Sequence, residues 1–250
     1  MKHFLSATIL LLLLMLFCSA SKGPVTVFTI GDSTMATKGE SDNPFERGWG
    51  QYLQYFFDHD KVIVDNHAKN GRSTLSFINE GRWKTILDKL QPGDYVFIQF
   101  GHNDQKSQAT AAQGGYRDNL IRYIRETREK GATPVLMTPI VRRRWSETGT
   151  LTDTHGEYPA VVREVGAEMR VPVIDMQQKT QELMLSLGVE GSKKLHLFLP
   201  AGMLTKYPAG VEDNTHLNDY GARKYASMAA EGIREARLPI RKYLIPLYVE

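Results

Sequence analysis

The sequence predicts an α/β fold, a parallel sheet covered by helices on both faces. Three observations predict it. Short β-branched apolar runs alternate with longer amphipathic stretches along the chain. The short runs are continuously apolar rather than alternating, as strands buried on both faces are. No repeat, linker or low-complexity stretch interrupts the alternation, so most of the 250 residues fit one domain.

Five runs predict strands: Val25–Ile30, Val62–Asn66, Tyr95–Phe100, Pro134–Thr138 and Pro172–Asp175. Between them, helices are predicted over Gly50–Phe57, Tyr116–Lys130, Glu157–Arg170, Gln177–Leu187 and Asp219–Ala236. In the second of these, Leu120, Ile121 and Ile124 share one side and Arg122, Arg125, Glu126 and Glu129 the other, and Gly131 stops it. Gly188 stops the fourth. In the last, Ala222, Tyr225, Ala226, Ala229 and Ile233 recur at helical spacing. The tail Leu238–Glu250 has apolar residues but no period, and either packs back on the domain or meets a partner. Strand–helix alternation implies right-handed crossovers, with the site at the carboxyl ends of the strands.

The first twenty residues stand apart. Lys2 and His3 give a basic start, Leu5–Phe17 is almost wholly apolar, and Cys18, Ser19 and Ala20 are small. This is the pattern of a secretory signal peptide, with cleavage expected after Ala20 and residues 21–250 forming one domain. The apolar stretch is shorter than the about 20 residues of a membrane span, so no stable span is expected after its removal. A lipoprotein anchored through Cys18 ranks second, because Phe17 is bulky where a small residue belongs. Cys18 is the only cysteine, so the mature chain is expected to lack disulfides. Removing Lys2 takes the net charge from +3 to +2, a balance that does not point to nucleic acid.

Four polar segments fall where the predicted fold gathers them. Gly31-Asp32-Ser33-Thr34 follows the first strand and Gly101-His102-Asn103-Asp104 the third. Asn70-Gly71-Arg72-Ser73-Thr74 follows the second-strand region, and Asp213-Asn214-Thr215-His216 precedes the last helix. Ester hydrolysis needs a nucleophile, a base, a group orienting the base, and donors for the oxyanion. Ser33 supplies a hydroxyl, His216 can take its proton, and Asp213 can fix the imidazole tautomer. A loop entering a helix is expected to set the last two side by side. The Ser33 and Gly71 backbone N–H groups and the Asn103 amide are candidate oxyanion donors.

Those four segments, in that order, resemble the SGNH (GDSL-like) hydrolases over about Val25 to Ala236. Thr29–Ala36, Lys69–Thr74, Phe100–Asp104 and Asp213–Leu217 look most like the rhamnogalacturonan acetylesterases among them. The resemblance implies a three-layer α/β/α sandwich with a flavodoxin-like sheet of about five strands. It also implies no metal or other cofactor, and an acetylated pectic polysaccharide as substrate.

Arg142-Arg143-Arg144-Trp145, after the fourth strand, could bind such a polymer, arginine pairing with carboxylates and tryptophan stacking on sugar faces. If so, Arg143→Ala or Trp145→Ala weakens turnover of the polymer and spares a small aryl acetate. His155 is a further candidate contact. His102 is read either as a contact or as a hydrogen-bonded structural histidine. Asp32 and Asp104 are expected to brace loops, and Trp49 and Trp83 to pack. No metal-ligand spacing, P-loop, dinucleotide fingerprint or Gly-x-Ser-x-Gly elbow is present. Two rivals stay open: a lipase, arylesterase or thioesterase on the same scaffold, and a non-catalytic carbohydrate-binding protein. The sequence leaves the oligomeric state open.

Overall fold

A computed structural model describes residues 23–39 and 43–246. The predicted leader, with Cys18 and the expected cleavage after Ala20, lies outside the described residues.

Five parallel strands form the sheet: β1 (Val25–Gly31), β2 (Val62–Asn66), β3 (Tyr95–Gln99), β4 (Thr133–Met137) and β5 (Val173–Ile174). Their order is β2-β1-β3-β4-β5. The flanking helices are α1 (Thr74–Asn79), α2 (Arg82–Lys89), α3 (Arg117–Glu129), α4 (Tyr158–Met169), α5 (Met176–Gly191) and α6 (Asp219–Glu235).

The period-2 geometry of the strands divides their apolar residues between two cores. Val27, Tyr95, Phe97, Val135 and Met137 join Met184 of α5 and the alanine-rich face of α6. Phe28, Ile30, Val96, Ile98 and Leu136 join Phe77, Trp83, Tyr123 and Val161 from α1 to α4. The result is the three-layer α/β/α sandwich expected from the strand–helix alternation and the family resemblance. Trp49 and Trp83 are fully buried, one in each core.

Several elements differ from the sequence expectation, each for a local reason. Gly50–Phe57 is two 3₁₀ turns, Trp49–Gln51 and Leu53–Phe56, rather than one helix. Gly48 and Gly50 press their backbone against Ala36 and Met35, where a Cβ would come within 2.2 and 2.5 Å of a carbonyl oxygen. The chain therefore follows that loop instead of coiling freely. β5 has two residues because Pro172 offers no N–H and Asp175 turns away to cap α5, accepting from Gln178 N at 3.1 Å. Gly188 (φ 67°) kinks α5 instead of ending it. α1 and α2 were not expected. Ser73 caps α1 by accepting from Ser76 N, and left-handed Gly81 separates it from α2.

The largest difference is a second, antiparallel pair, β6 (His196–Leu199) with β7 (Val211–Leu217). Asp213 to His216 lie on β7, not on a loop entering the last helix. The tail packs back: Leu238 and Ile240 are buried, and Ile245 N donates to Phe56 O at 3.0 Å. No described helix is long and apolar enough to cross a membrane.

Candidate active site

β1 ends at Gly31, where a Cβ would lie 2.5 Å from the Gln99 carbonyl oxygen, so only glycine fits beside β3. The next residue, Asp32, is fully buried. Its Oδ1 accepts from Thr34 N at 3.0 Å and Thr34 Oγ1 at 2.8 Å, which curls the chain around Ser33. Its Oδ2 lies 3.1 Å from His102 Nδ1, tying the turn to the loop after β3. Burial works against its charge, but His102 and the two Thr34 bonds hold the carboxyl well below the usual carboxylate range. Ser33 is left half-buried, facing a cleft.

His216 arrives from β7 by an irregular register. Consecutive residues His196 and Leu197 on β6 pair with Leu217 and Asp213 on β7, so Asn214, Thr215 and His216 bulge out of the ladder. Bulges re-aim side chains in this way. The Asp213 carboxylate closes the bulge, Oδ1 accepting from Thr215 N at 2.7 Å and His216 N at 2.9 Å. Its Oδ2 is 2.7 Å from His216 Nδ1, and His216 Nε2 is 2.9 Å from Ser33 Oγ. An ionised carboxylate only accepts, so Nδ1 carries the proton and Nε2 is free to accept from the Ser33 hydroxyl. Burial disfavours the imidazolium, yet Asp213 outweighs it and raises the His216 pKa above its ordinary value. Against the same burial, His216 and the two backbone N–H groups hold the Asp213 carboxyl well below its usual range. The arrangement can take a proton from Ser33 and stabilise the resulting cation.

Three donor groups border the same cleft. The Ser33 and Gly71 N–H groups make no backbone or side-chain hydrogen bond among the described residues. Gly71 has φ 76°, and a Cβ there would meet nothing within 4 Å. The glycine is therefore required by backbone conformation rather than by crowding within the protein. Asn103 Nδ2 donates to Arg72 O at 3.2 Å, leaving its second N–H. Behind Asn103, the buried Asp104 accepts from Thr74 N at 2.8 Å and Thr74 Oγ1 at 2.6 Å. These bonds brace the loop, and burial pushes the carboxyl up to about 7 against them.

The cleft has a volume of about 450 Å³ and is lined by polar and charged groups, among them Ser33, Glu46, Gly71, His102, Asn103, Lys106, Arg142 and His216. Sequence reasoning missed Glu46 and Lys106. The signal for Lys106 is its place three residues after Asn103 on a 3₁₀ turn, where i and i+3 eclipse.

The residues expected to read substrate divide. Arg142 lines the cleft, donating to Thr154 O, Thr154 Oγ1 and His102 O, each at 3.2 Å. His102 lines it too, 3 % exposed and bonded to Asp32. His155 is 2 % exposed, its Nε2 held by Ile140 O at 2.8 Å, and burial pushes its pKa down to about 2. It stays neutral beneath His102, their ring centroids 4.6 Å apart. Arg144 is exposed and does not line the cleft.

Arg143 and Trp145, expected to touch substrate, make hydrogen bonds within the fold and do not line this cleft. Trp145 donates its indole N–H to Ser192 Oγ at 3.1 Å and packs on the first core. Arg143 donates to Ser192 Oγ, Val189 O and Asn214 Oδ1, and its N–H holds Asn214 O at 2.8 Å. It thus clamps the bulge that carries Asp213 and His216. Arg143→Ala is expected to cost about 2 kcal/mol of stability through the acceptors left unpaired. It should lower turnover of aryl acetate and polymer by similar factors, read by denaturant melts and paired assays. A loss confined to polymer would return Arg143 to substrate binding.

No group of three or more His, Cys, Asp or Glu that could hold a metal occurs among the described residues.

Comparison with known proteins agrees with this fold. The chain is 42% identical over 224 residues to rhamnogalacturonan acetylesterase RhgT of Bacillus subtilis (strain 168), covering 90% of this chain and 96% of that one. It is 35% identical to the probable rhamnogalacturonan acetylesterase YesY of the same organism, covering 88% and 97%. Among solved structures, YxiM of Bacillus subtilis superposes with a TM-score of 0.74 at 25% identity, covering 86% of this chain; this chain spans 58% of YxiM. The acetylxylan esterase Axe2 of Geobacillus stearothermophilus shares the fold with a TM-score of 0.57 at 18% identity, covering 87% and 97%. Residues 29–224 match the GDSL-like Lipase/Acylhydrolase family, and the chain belongs to it.

Proposed function

We propose that the protein is an exported serine esterase that removes O-acetyl groups from rhamnogalacturonan, a pectic polysaccharide. The observation that carries the esterase reading is the relay from Asp213 Oδ2 through His216 to Ser33 Oγ, with links of 2.7 and 2.9 Å. His216 accepts the Ser33 proton as Oγ attacks the acetyl carbonyl. The Ser33 and Gly71 N–H groups and the free Asn103 N–H receive the oxyanion, each worth about 10²–10³ in rate. His216 then protonates the departing sugar oxygen. A water, deprotonated by His216, releases acetate from Ser33. A pure binding protein has no use for this relay.

The polysaccharide reading is supported by the relatives RhgT and YesY and by the cleft itself. A wall carrying Glu46, Asn70 and Arg142 suits a hydroxyl-rich polymer with carboxylates and not a lipid acyl chain. Arg142, next to His102, is the cation positioned to meet a uronate carboxylate. Residues 1–20 are read as the export signal and 21–250 as the esterase domain.

Acetate release from acetylated rhamnogalacturonan, acetylated xylan and tributyrin, measured side by side, tests this reading. Rhamnogalacturonan should be preferred by about tenfold or more in kcat/KM. Equal or faster turnover of tributyrin would sink the carbohydrate assignment and leave the esterase.

A further inference from the structure

One cleft residue has no part in the relay or in the three donors. Lys106 Nζ lies 2.8 Å from Asn103 Oδ1. The 3₁₀ turn Asp104–Lys106 begins at Asn103, and Lys106 N donates to Asn103 O at 3.1 Å, so the two side chains stand on one side of the turn. The backbone bond holds the turn, and the side-chain bond acts on the amide.

An ammonium group can only donate, so the amide atom facing it must be the oxygen. The nitrogen then faces the other way, toward Arg72 O at 3.2 Å, with one N–H left for the cleft. The final torsion of an asparagine is broad and nearly two-fold. Arg72 O opposes a turned amide at one end, since two oxygens would then face each other, and the ammonium on Oδ1 adds a second, charged hold at the other end. A positive charge on Oδ1 also draws electron density from Nδ2, making its N–H a stronger donor.

We propose that Lys106 is a positioning residue that locks and polarises the Asn103 amide, so that its free N–H donates to the oxyanion. This rests on the oxyanion role proposed for Asn103. The rival role for Lys106, exposed and lining the cleft, is direct pairing with a substrate carboxylate.

A double-mutant cycle on a neutral aryl acetate separates the possibilities. Lys106→Met should lower kcat about tenfold and leave KM within about twofold, because the contact it supports, from Asn103 to the oxyanion, exists only in the transition state. Lys106→Arg, which also only donates, should restore most of the rate. In an Asn103→Ala background, where kcat is already down about 10²-fold, Lys106→Met should cost nothing more. If Asn103→Ala turns over normally, the oxyanion reading of Asn103 falls and this proposal with it. If Asn103→Ala is impaired but Lys106→Met is not, or costs the same in both backgrounds, only the role of Lys106 is overturned. A Lys106→Met loss confined to KM for the acidic polymer assigns Lys106 to substrate binding and overturns it as well.

Discussion

Ser33→Ala is expected to lower kcat by about 10⁴–10⁶ on aryl acetate and on acetylated polymer alike. Ser33 Oγ is held by His216 Nε2 at 2.9 Å, so its removal deletes the proposed nucleophile and leaves His216 bonded to Asp213. The turn around it is fixed by Asp32 and Thr34, which the substitution does not touch. The melting temperature should therefore stay near that of the parent. His216→Ala should lose a similar factor, and the double variant little more, because groups that act as one unit are not additive. Ordinary turnover by folded Ser33→Ala would end the serine mechanism.

Asp213→Asn is expected to lower kcat by about 10⁴ while the fold persists, as in other serine relays. An asparagine oxygen can still accept from the Thr215 and His216 N–H groups and keep the bulge closed. Its amide nitrogen would then face His216 Nδ1 and donate to it. That forces the ring proton to Nε2, where it opposes the Ser33 hydroxyl instead of accepting from it. The pH profile carries the same physics. Only neutral imidazole can act as base, so activity is lost as pH falls through the His216 pKa. Asp213 raises that pKa, so the acid limb of kcat/KM should lie above the ordinary imidazole value of 6.5. Residual activity of Asp213→Asn should show the limb shifted down. An acid limb below 6.5 in the parent, or Asp213→Asn within tenfold of it, would remove Asp213 from this role.

Legibility in the sequence followed the range of the interactions. β2 has the expected bounds, Val62–Asn66, its β-branched run Val62–Val64 following directly on the polar turn His59–Lys61. α2 was legible in principle, since Trp83, Ile86, Leu87 and Leu90 recur at helical spacing. α1 has six residues, too few for a periodic signal, though Ser73 and Ser76 form a reciprocal cap. The β6–β7 pair was not legible, because β7 reads as a polar segment with little alternation. The arginine run shows the same limit. Three adjacent arginines have one composition and three fates, Arg142 in the cleft, Arg143 clamped inward and Arg144 exposed.

From the amino-acid order alone came the layered α/β architecture and the identity of the polar segments at its edge. Strand and helix periodicity are properties of neighbours along the chain, and a glycine-bounded turn after a buried strand is too. Tertiary structure alone decided how those segments meet: the bulge that swings His216 onto Ser33, the inward turn of Arg143 and the approach of Lys106 to Asn103. A side chain's direction depends on partners distant in sequence, here up to 183 positions away between Ser33 and His216, and no local pattern encodes that.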